Sequence, residues 1–508
     1  MTLDEWIAGH ARFSPDKTAI AFGDETIDYR ALHDRIEATA RVLATELGLK
    51  HGERIAYYGM NRPDVFVLVF AAAKLGLLLV PLNWRLAVPE LQYIVGNCAP
   101  RALFYDFHFK DNVAALAESA ADCRPIPVFE DDGVQTLADL CRQTGPQTVG
   151  AGQIDAVFEA YGQATDPVLV VYTSGTTGNP KGAVLSQSAV RCNAQMSQHA
   201  YDMTSADRVL NVLPLFHVGG LNIQPLPALM LGATLVLHEK FDPDASVRAI
   251  ETDGITLINT VPTLLQAMTA GDAWAKADLS SLRCISIGST DVPVPLIETV
   301  HARDIPLIQI YGATETGPIA IYQRIEHAFS TVGSIGRCGL LCSARLVEEE
   351  GLDAEPGQSG EIWIKGDNIL DRYWNDRQAT DQNIVDGWFR TGDVARIDEA
   401  GNYWFADRIK HVIISGGENI YPAELERVLR DHPGLNEAAI VGRTDAKWGM
   451  VPVVVAVRSD SSVTREDVLQ IFEGAVARFK RPRDVVFVEA LPRNALGKVI
   501  VDNVRALV

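Results

Sequence analysis

Residues 172–187 read YTSGTTGNPKGAVLSQ and follow the apolar run DPVLVV. Tyr172–Gly182 holds three glycines, the hydroxyls of Thr173, Ser174, Thr176 and Thr177, and the ammonium of Lys181. Backbone N–H groups left open by small side chains, joined by hydroxyls and a lysine, make a donor set that wraps a polyphosphate. A loop so rich in glycine gives up much backbone entropy on ordering, and a bound anion offsets that loss. A surface loop is the plain alternative. The spacing is not that of the P-loop, which needs Gly, four residues, then Gly-Lys-Ser/Thr; here Lys181 follows Pro180 and precedes Gly182.

The chain around this segment has 508 residues, 47% hydrophobic and 22% charged, with a net charge of −20. It is too long for one core, so two or more domains are expected. The acidic balance disfavours nucleic acid and anionic membranes, so an anionic ligand must meet a local reversal of the field. Cys98, Cys123, Cys141, Cys192, Cys284, Cys338 and Cys342 are odd in number and scattered, which reads as reduced thiols in a cytoplasmic protein, not a disulfide framework. Cys338 and Cys342 have no second Cys/His pair nearby to complete a zinc site. The first residues carry early acids and no long apolar stretch, so no signal peptide is expected. The run 65–84 is broken by Lys74, Gly76 and Pro81 and predicts a buried helix leading into a buried strand, not a membrane span.

To about residue 320, helical patterns such as 29–47 alternate with apolar runs (RIAYYG, PVLVVYT, ATLVLHE, ITLINT, CISIGS), which predicts parallel sheets covered by helices. From about 330 to 406 short strands separated by turns predict a small antiparallel β unit. Beyond it, a helix opened by Pro422, the strands EAAIVGR and VPVVVAVR, a helix over 464–479 and a last strand DVVFVEAL predict a separate α+β domain of about 100 residues. The expected domains are 1–409 and 410–508.

Six segments in order resemble the acyl-adenylate-forming superfamily of acyl-CoA synthetases, adenylation domains and luciferases. They are YTSGTTGNPKG (172–182), LPLFHVGG (213–220), IYGATETG (310–317), WFRTGD (388–393), DRIKHVIISGGENIYPAELE (407–426) and RNALGKV (493–499). The resemblance implies an α/β fold: a large N-terminal domain of parallel-sheet subdomains plus a small β-barrel, followed by a mobile α+β C-terminal domain. It implies an AMP-forming acid–thiol ligase in which a carboxylate attacks the α-phosphorus of ATP, giving acyl-AMP and pyrophosphate, and coenzyme A then displaces AMP. A carboxylate is ionised at neutral pH, so the first step needs alignment and charge neutralisation rather than a base.

By the same resemblance, Thr173, Ser174, Gly175, Thr176, Thr177 and Lys181 hold the β- and γ-phosphates, and Thr176 and Glu315 lie at Mg²⁺. Tyr311 stacks on adenine, with Gly288, Ser289, Thr290, Gly312, Ala313 and Thr314 around the nucleotide. Asp393 accepts from the ribose hydroxyls and Arg408 contacts ribose or phosphate. Lys498 bridges the attacking carboxylate and the α-phosphate. His217 gates the carboxylate, and His217, Val218, Gly219, Gly288, Ser289, Ile310, Gly312, Gly317 and Pro318 line the acyl pocket. Gly219 and Gly317 are expected to leave volume beyond what acetate needs, and no Lys or Arg falls in these segments to pair with a second carboxylate. Lys410 is the expected hinge, and Ser415, Gly416 and Gly417 line the thiol tunnel. Arg478–Lys498 holds six cations against two acids, a reversal that suits the phosphates of coenzyme A, with Arg481, Phe479, Trp448 and Arg85 as contacts. The motifs are closest to aryl- and medium-chain acyl-CoA ligases. The expected partners are an apolar monocarboxylate, ATP, Mg²⁺ and coenzyme A, with no nucleic acid or membrane span and with a homodimer left open. A stand-alone enzyme that loads a carrier protein is the alternative, disfavoured by the basic segment and by the absence of a carrier domain after Lys498.

Overall fold

The computed structural model describes residues 1–129, 134–144, 162–173, 179–288, 292–348, 351–355, 357–415, 418–430, 432–446, 448–473, 475–476, 478–493 and 498–508. Contacts group the chain into two compact units. The first comprises Met1–Ala344 and Ile364–Phe389, the second Arg345–Trp363 and Arg390–Val508.

The first unit contains two large sheets. A nine-stranded sheet runs in the order 337–338, 321–322, 307–311, 284–288, 257–260, 208–211, 234–237, 18–22 and 25–28. Its six strands from 307–311 to 18–22 pair parallel, and antiparallel strands close both edges. A seven-stranded sheet runs 372–373, 181–186, 167–173, 78–82, 54–58, 102–105 and 124–127. The five apolar runs named above are all strands, because a parallel strand covered on both faces needs an apolar residue at nearly every position. The helix over 29–47 is α-helical from Tyr29 to Arg41 and continues as a π-helical turn, Val42–Glu46.

The run 65–84 folds as expected: helix Pro63–Leu75 is buried along nearly its whole length, Gly76 ends it at φ +65°, and strand Leu78–Leu82 follows. Lys74 is accommodated because its ammonium lies 2.8 Å from Glu37 and 3.9 Å from Asp4, as a buried cation requires. Among the described residues no helix is long and apolar enough to cross a membrane.

In the second unit, Asp393–Ile397 and Tyr403–Arg408 pair antiparallel. A separate five-stranded sheet contains 418–420, 413–415, 449–458, 435–445 and 484–487. Helix Pro422–Leu429 packs on it through Leu425 and Leu429. The helix expected over 464–479 is shorter, Arg465–Gln470. Thr464 and Asp467 cap its start reciprocally, whereas Gly474 in the sequence works against propagation.

Candidate active site

The glycine-rich segment joins two antiparallel neighbours. Thr173 stands opposite Lys181 and Tyr172 opposite Gly182, and the Thr173 hydroxyl donates to the Lys181 carbonyl at 3.4 Å. Both ends of the loop are therefore pinned to one sheet; Ser174, Gly175, Thr176 and Thr177 lie outside the described residues. The Lys181 ammonium stands 5.6 Å from the ring centre of Tyr373, on the strand paired with 181–186. The Tyr373 hydroxyl donates to Glu315 Oε1 at 2.9 Å. Burial first, and then the Glu315 charge, push the Tyr373 phenol far above its ordinary pKa, so it remains a donor. Lys181 and Glu315, 134 residues apart in sequence, are thus joined through a tyrosine that motif reading missed.

Glu315 sits in the one-turn helix Thr314–Thr316, after strand Leu307–Tyr311. This segment folds back so tightly that a Cβ on Gly312 would fall 1.8 Å from the Pro318 carbonyl oxygen. Gly317 adopts φ +93°, and a Cβ there would meet the Asn368 carbonyl at 2.9 Å. The expectation of spare volume at Gly317 is therefore corrected: backbone packing demands glycine there. Three fully buried asparagines clamp the loop. Asn368 Nδ2 donates to the carbonyls of Thr316 and Ile319, at 2.9 and 3.2 Å. Asn193 Oδ1 accepts from the Ile319 amide, and Asn222 Nδ2 donates to the Gly317 carbonyl. Asn222 stands in the apolar stretch VGGLNIQPL, which is a signal in the sequence; Asn193 and Asn368 sit among polar neighbours and carry none. Tyr311 is half-buried and its carbonyl accepts from the Ala320 amide at 3.0 Å; the Ala313 amide donates to Thr316 Oγ1.

His217 precedes the short helix Val218–Leu221. Its ring lies 4.9 Å from Phe216, which meets Trp84 edge-on at 6.4 Å. Burial, and secondarily the Arg85 charge, push the imidazole down to about 4, and its Nε2 is buried with no hydrogen-bond partner. Gly219 differs from Gly312 and Gly317, because a Cβ there would meet nothing within 4 Å, which fits a pocket wall. Val218 and Ile310 are buried, and Gly288 pairs with Ile310, whose carbonyl would sit 2.3 Å from a Cβ at Gly288. Ser289 and Thr290 lie outside the described residues. Arg85 stacks over Trp84 at 5.0 Å and Phe216 at 5.9 Å. A cation therefore does stand beside the segment expected to line the acyl pocket, and counting charges within that segment alone misses it.

In the second unit Asp393 and Arg408 face each other across two strands, with Arg408 Nε 2.9 Å from Asp393 Oδ1. Gly392 turns at φ +70°, and its amide donates to Glu361 Oε1 at 3.0 Å. Asp407 Oδ2 accepts from the Ala423 amide at 2.9 Å, tying the end of this strand to the helix opened by Pro422. Lys410 lies in the single turn Ile409–His411, of which only the backbone is described at 410. Ser415 is buried in its strand and pairs with Gly449; Gly416 and Gly417 are outside the described residues. Lys498 is exposed and directly precedes the pairing of Val499 with Arg493.

The basic segment is less basic in space than along the chain. Lys480 pairs with Glu424 at 2.8 Å, Arg481 with Glu473 at 3.6 Å, and Arg493 with Glu437 at 2.8 Å. Such surface pairs are each worth about 0–1 kcal/mol, so a phosphate can displace them. Trp448 is exposed; the Phe479 side chain is outside the described residues. Cys338 and Cys342 Sγ atoms are 3.9 Å apart and all seven cysteines are thiols. No cluster of three or more His, Cys, Asp or Glu that could hold a metal occurs among the described residues. The Glu315 carboxylate, joined through Tyr373 to Lys181, suits Mg²⁺, which takes few protein ligands and completes its shell with water and phosphate oxygens.

Parallel sheets that pin both ends of a hydroxyl-, glycine- and lysine-rich segment, with Lys181 joined to Glu315 through Tyr373, and a second α+β unit bearing Lys498 fit an adenylating acid–thiol ligase. Sequence comparison agrees: the model for the AMP-binding enzyme matches residues 7–374, and that for the AMP-binding enzyme C-terminal domain matches 424–498. The chain is 46% identical to an indoleacetate–CoA ligase of Aromatoleum aromaticum, over 100% of this chain and 98% of that one. It is 36% identical to a feruloyl-CoA synthase of an Amycolatopsis species, over 99% and 98%. Among solved structures, the O-succinylbenzoate coenzyme A synthetase of Bacillus subtilis in complex with ATP and magnesium superposes with a TM-score of 0.86 at 29% identity, over 99% of each chain. The chain belongs to the AMP-binding enzyme family, and it is an acid–thiol ligase.

Proposed function

We propose that this ligase converts an aromatic monocarboxylate to its coenzyme A thioester, through an acyl-AMP formed from ATP. The observation that carries the acyl assignment is the setting of His217. Its imidazole is neutral, packed on Phe216 and Trp84, next to open space at Gly219. Aromatic walls reward a flat ring by offset or edge-on contact, and the relatives named for indoleacetate and ferulate support the same class.

Arg85 over Phe216 favours a second reading, an acid with a further carboxylate, and the relation to an O-succinylbenzoate synthetase agrees with it. Pyrophosphate release from a panel of arylacetates, arylpropenoates, medium-chain fatty acids and aryl dicarboxylates, with mass spectrometry of the thioester, decides between them. We expect the aromatic monocarboxylates to give the highest kcat/KM. A tenfold advantage for fatty acids or for the dicarboxylates overturns the assignment. The same assay with a carrier protein in place of coenzyme A tests the loading alternative.

Within this reading, Lys181 and the loop hydroxyls neutralise the β- and γ-phosphates, and Glu315 with Thr176 would hold Mg²⁺, which supplies further charge neutralisation on the phosphates when bound. Asp393 and Arg408 position the ribose. Lys498 draws carboxylate and α-phosphate together, since two anions need an intervening cation to approach. Lys410 is the hinge that withdraws Lys498 and admits the thiol past Gly416 and Gly417. The separate thiols accord with a cytoplasmic enzyme.

A further inference from the structure

One buried polar group in the first unit is used by none of the roles above. Gln224 is almost wholly buried, and apart from the neighbouring Tyr201 hydroxyl its Oε1 and Nε2 have no hydrogen-bond partner. A buried amide with most of its hydrogen-bonding capacity unused is uncommon in a folded chain and calls for an explanation. It lies beside the Tyr201 hydroxyl, whose proton is given to Ser286 Oγ at 2.7 Å. Ser286 Oγ in turn donates to Asn259 Oδ1 at 2.7 Å, and Asn259 Nδ2 donates to the carbonyl of Gly219 at 3.3 Å. A relay of hydrogen bonds therefore runs from the Tyr201 hydroxyl, beside Gln224, to the carbonyl of Gly219, where a Cβ would meet open space.

Strand register places this relay. Asn259 pairs with Ser286, and Ser286 with Ile308, while Gly288 pairs with Ile310 one repeat further along the same strands. Side chains two residues apart share a face and stand about 6.6 Å apart. The polar row is thus one side-chain repeat behind the Gly288–Ile310 row assigned to the acyl pocket. Behind it again, Leu257 and Cys284 belong to the apolar core. A polar layer between pocket lining and core is costly unless its members are hydrogen-bonded; Tyr201, Ser286 and Asn259 bond to one another, and the Gln224 amide is the member left short of partners.

We infer that Gln224 is a specificity-determining residue: its amide takes a hydrogen-bonding atom carried on the ring of the acid, at the end remote from the carboxylate. This rests on the aromatic-acid reading and narrows it to rings bearing an N–H or O–H, as against plain hydrocarbon rings. Gln224 Oε1 accepts from a ring N–H, and Oε1 with Nε2 together satisfy a phenolic hydroxyl. The relay fixes the Tyr201 hydroxyl and so limits how the amide can turn.

The test compares acids matched in shape. Indole-3-acetate is paired with benzothiophene-3-acetate, in which sulfur replaces the N–H, and 4-hydroxycinnamate with 4-methylcinnamate. We expect wild type to favour the polar member of at least one pair by about tenfold to hundredfold in kcat/KM for pyrophosphate release, the scale of leaving one buried polar group unpaired. Gln224→Leu should bring that ratio to within about threefold of unity, and Ser286→Ala, which frees the relay, should reduce it less. Ratios within about threefold for both pairs in wild type, or an unchanged ratio in Gln224→Leu, overturn the inference. If Gln224→Leu does not fold, the wild-type ratios and Ser286→Ala decide. Activation of fatty acids with neither member of either pair accepted sinks the aromatic reading itself, and this inference with it. Acceptance of the hydrocarbon members on equal terms sinks only the role of Gln224.

Discussion

The Tyr373 hydroxyl donates to Glu315 Oε1 at 2.9 Å while the Tyr373 ring lies 5.6 Å from the Lys181 ammonium. One tyrosine therefore orients the carboxylate assigned to the metal and lies against the cation assigned to the phosphates. Tyr373→Phe keeps the ring and removes the donor. A hydrogen bond to a charged group is worth about 1.5–3 kcal/mol, so kcat/KM for ATP should fall roughly tenfold or more, with the Mg²⁺ concentration for half-maximal pyrophosphate release shifted upward. An unchanged Mg²⁺ titration would show that Glu315 needs no such support.

Lys498→Ala should cost acyl-dependent pyrophosphate release ~10²–10³-fold, the scale for losing a preorganised charge stabiliser. Thioester formation from synthetic acyl-AMP should suffer far less. Near-normal pyrophosphate release from this variant removes Lys498 from the mechanism.

Lys410→Pro locks φ in the turn Ile409–His411. If the chain pivots there, thioester formation should fall more than acyl-AMP formation. Equal losses in the two half-reactions, measured separately by stopped-flow and by quench, argue against alternation at this point.

His217 titrates near 4 in the folded chain because burial penalises its cation and Arg85 repels it. Its folded value lies below the unfolded one, so the unfolded chain binds more protons in between. Stability therefore falls as pH drops from about 6.5 towards 4, by up to about 3 kcal/mol from this group. Denaturant unfolding of His217→Phe should show a smaller loss over that range than wild type. Parallel curves would mean that the imidazole is not held neutral by burial.

Arg481→Glu reverses a cation now 3.6 Å from Glu473. If the segment holds the phosphates of coenzyme A, KM for coenzyme A should rise about tenfold with KM for ATP little changed. An unchanged value for coenzyme A excludes Arg481 from that contact.

Much of this protein was legible in the chain itself. The apolar runs had to be buried parallel strands, and the helix before Gly76 had to stop there, because period and turn chemistry are local properties. Six short segments in order carried the family, since phosphate binding needs glycines, hydroxyls and a lysine within a few residues. The contacts that bring distant residues together belonged to the tertiary structure. Tyr373 reaches Glu315 because strand 372–373 adds to the edge beside Lys181, and Arg85 comes to rest on Phe216 although 131 positions separate them. Glu424, Glu437 and Glu473 neutralise cations that a linear count leaves in excess. Gly219 and Gly317 look alike in sequence, yet one faces open space and the other a carbonyl. The sequence determined which groups could carry the chemistry, because that depends on residue type and short spacing; packing decided which of them meet, because distance in space is set by the whole fold.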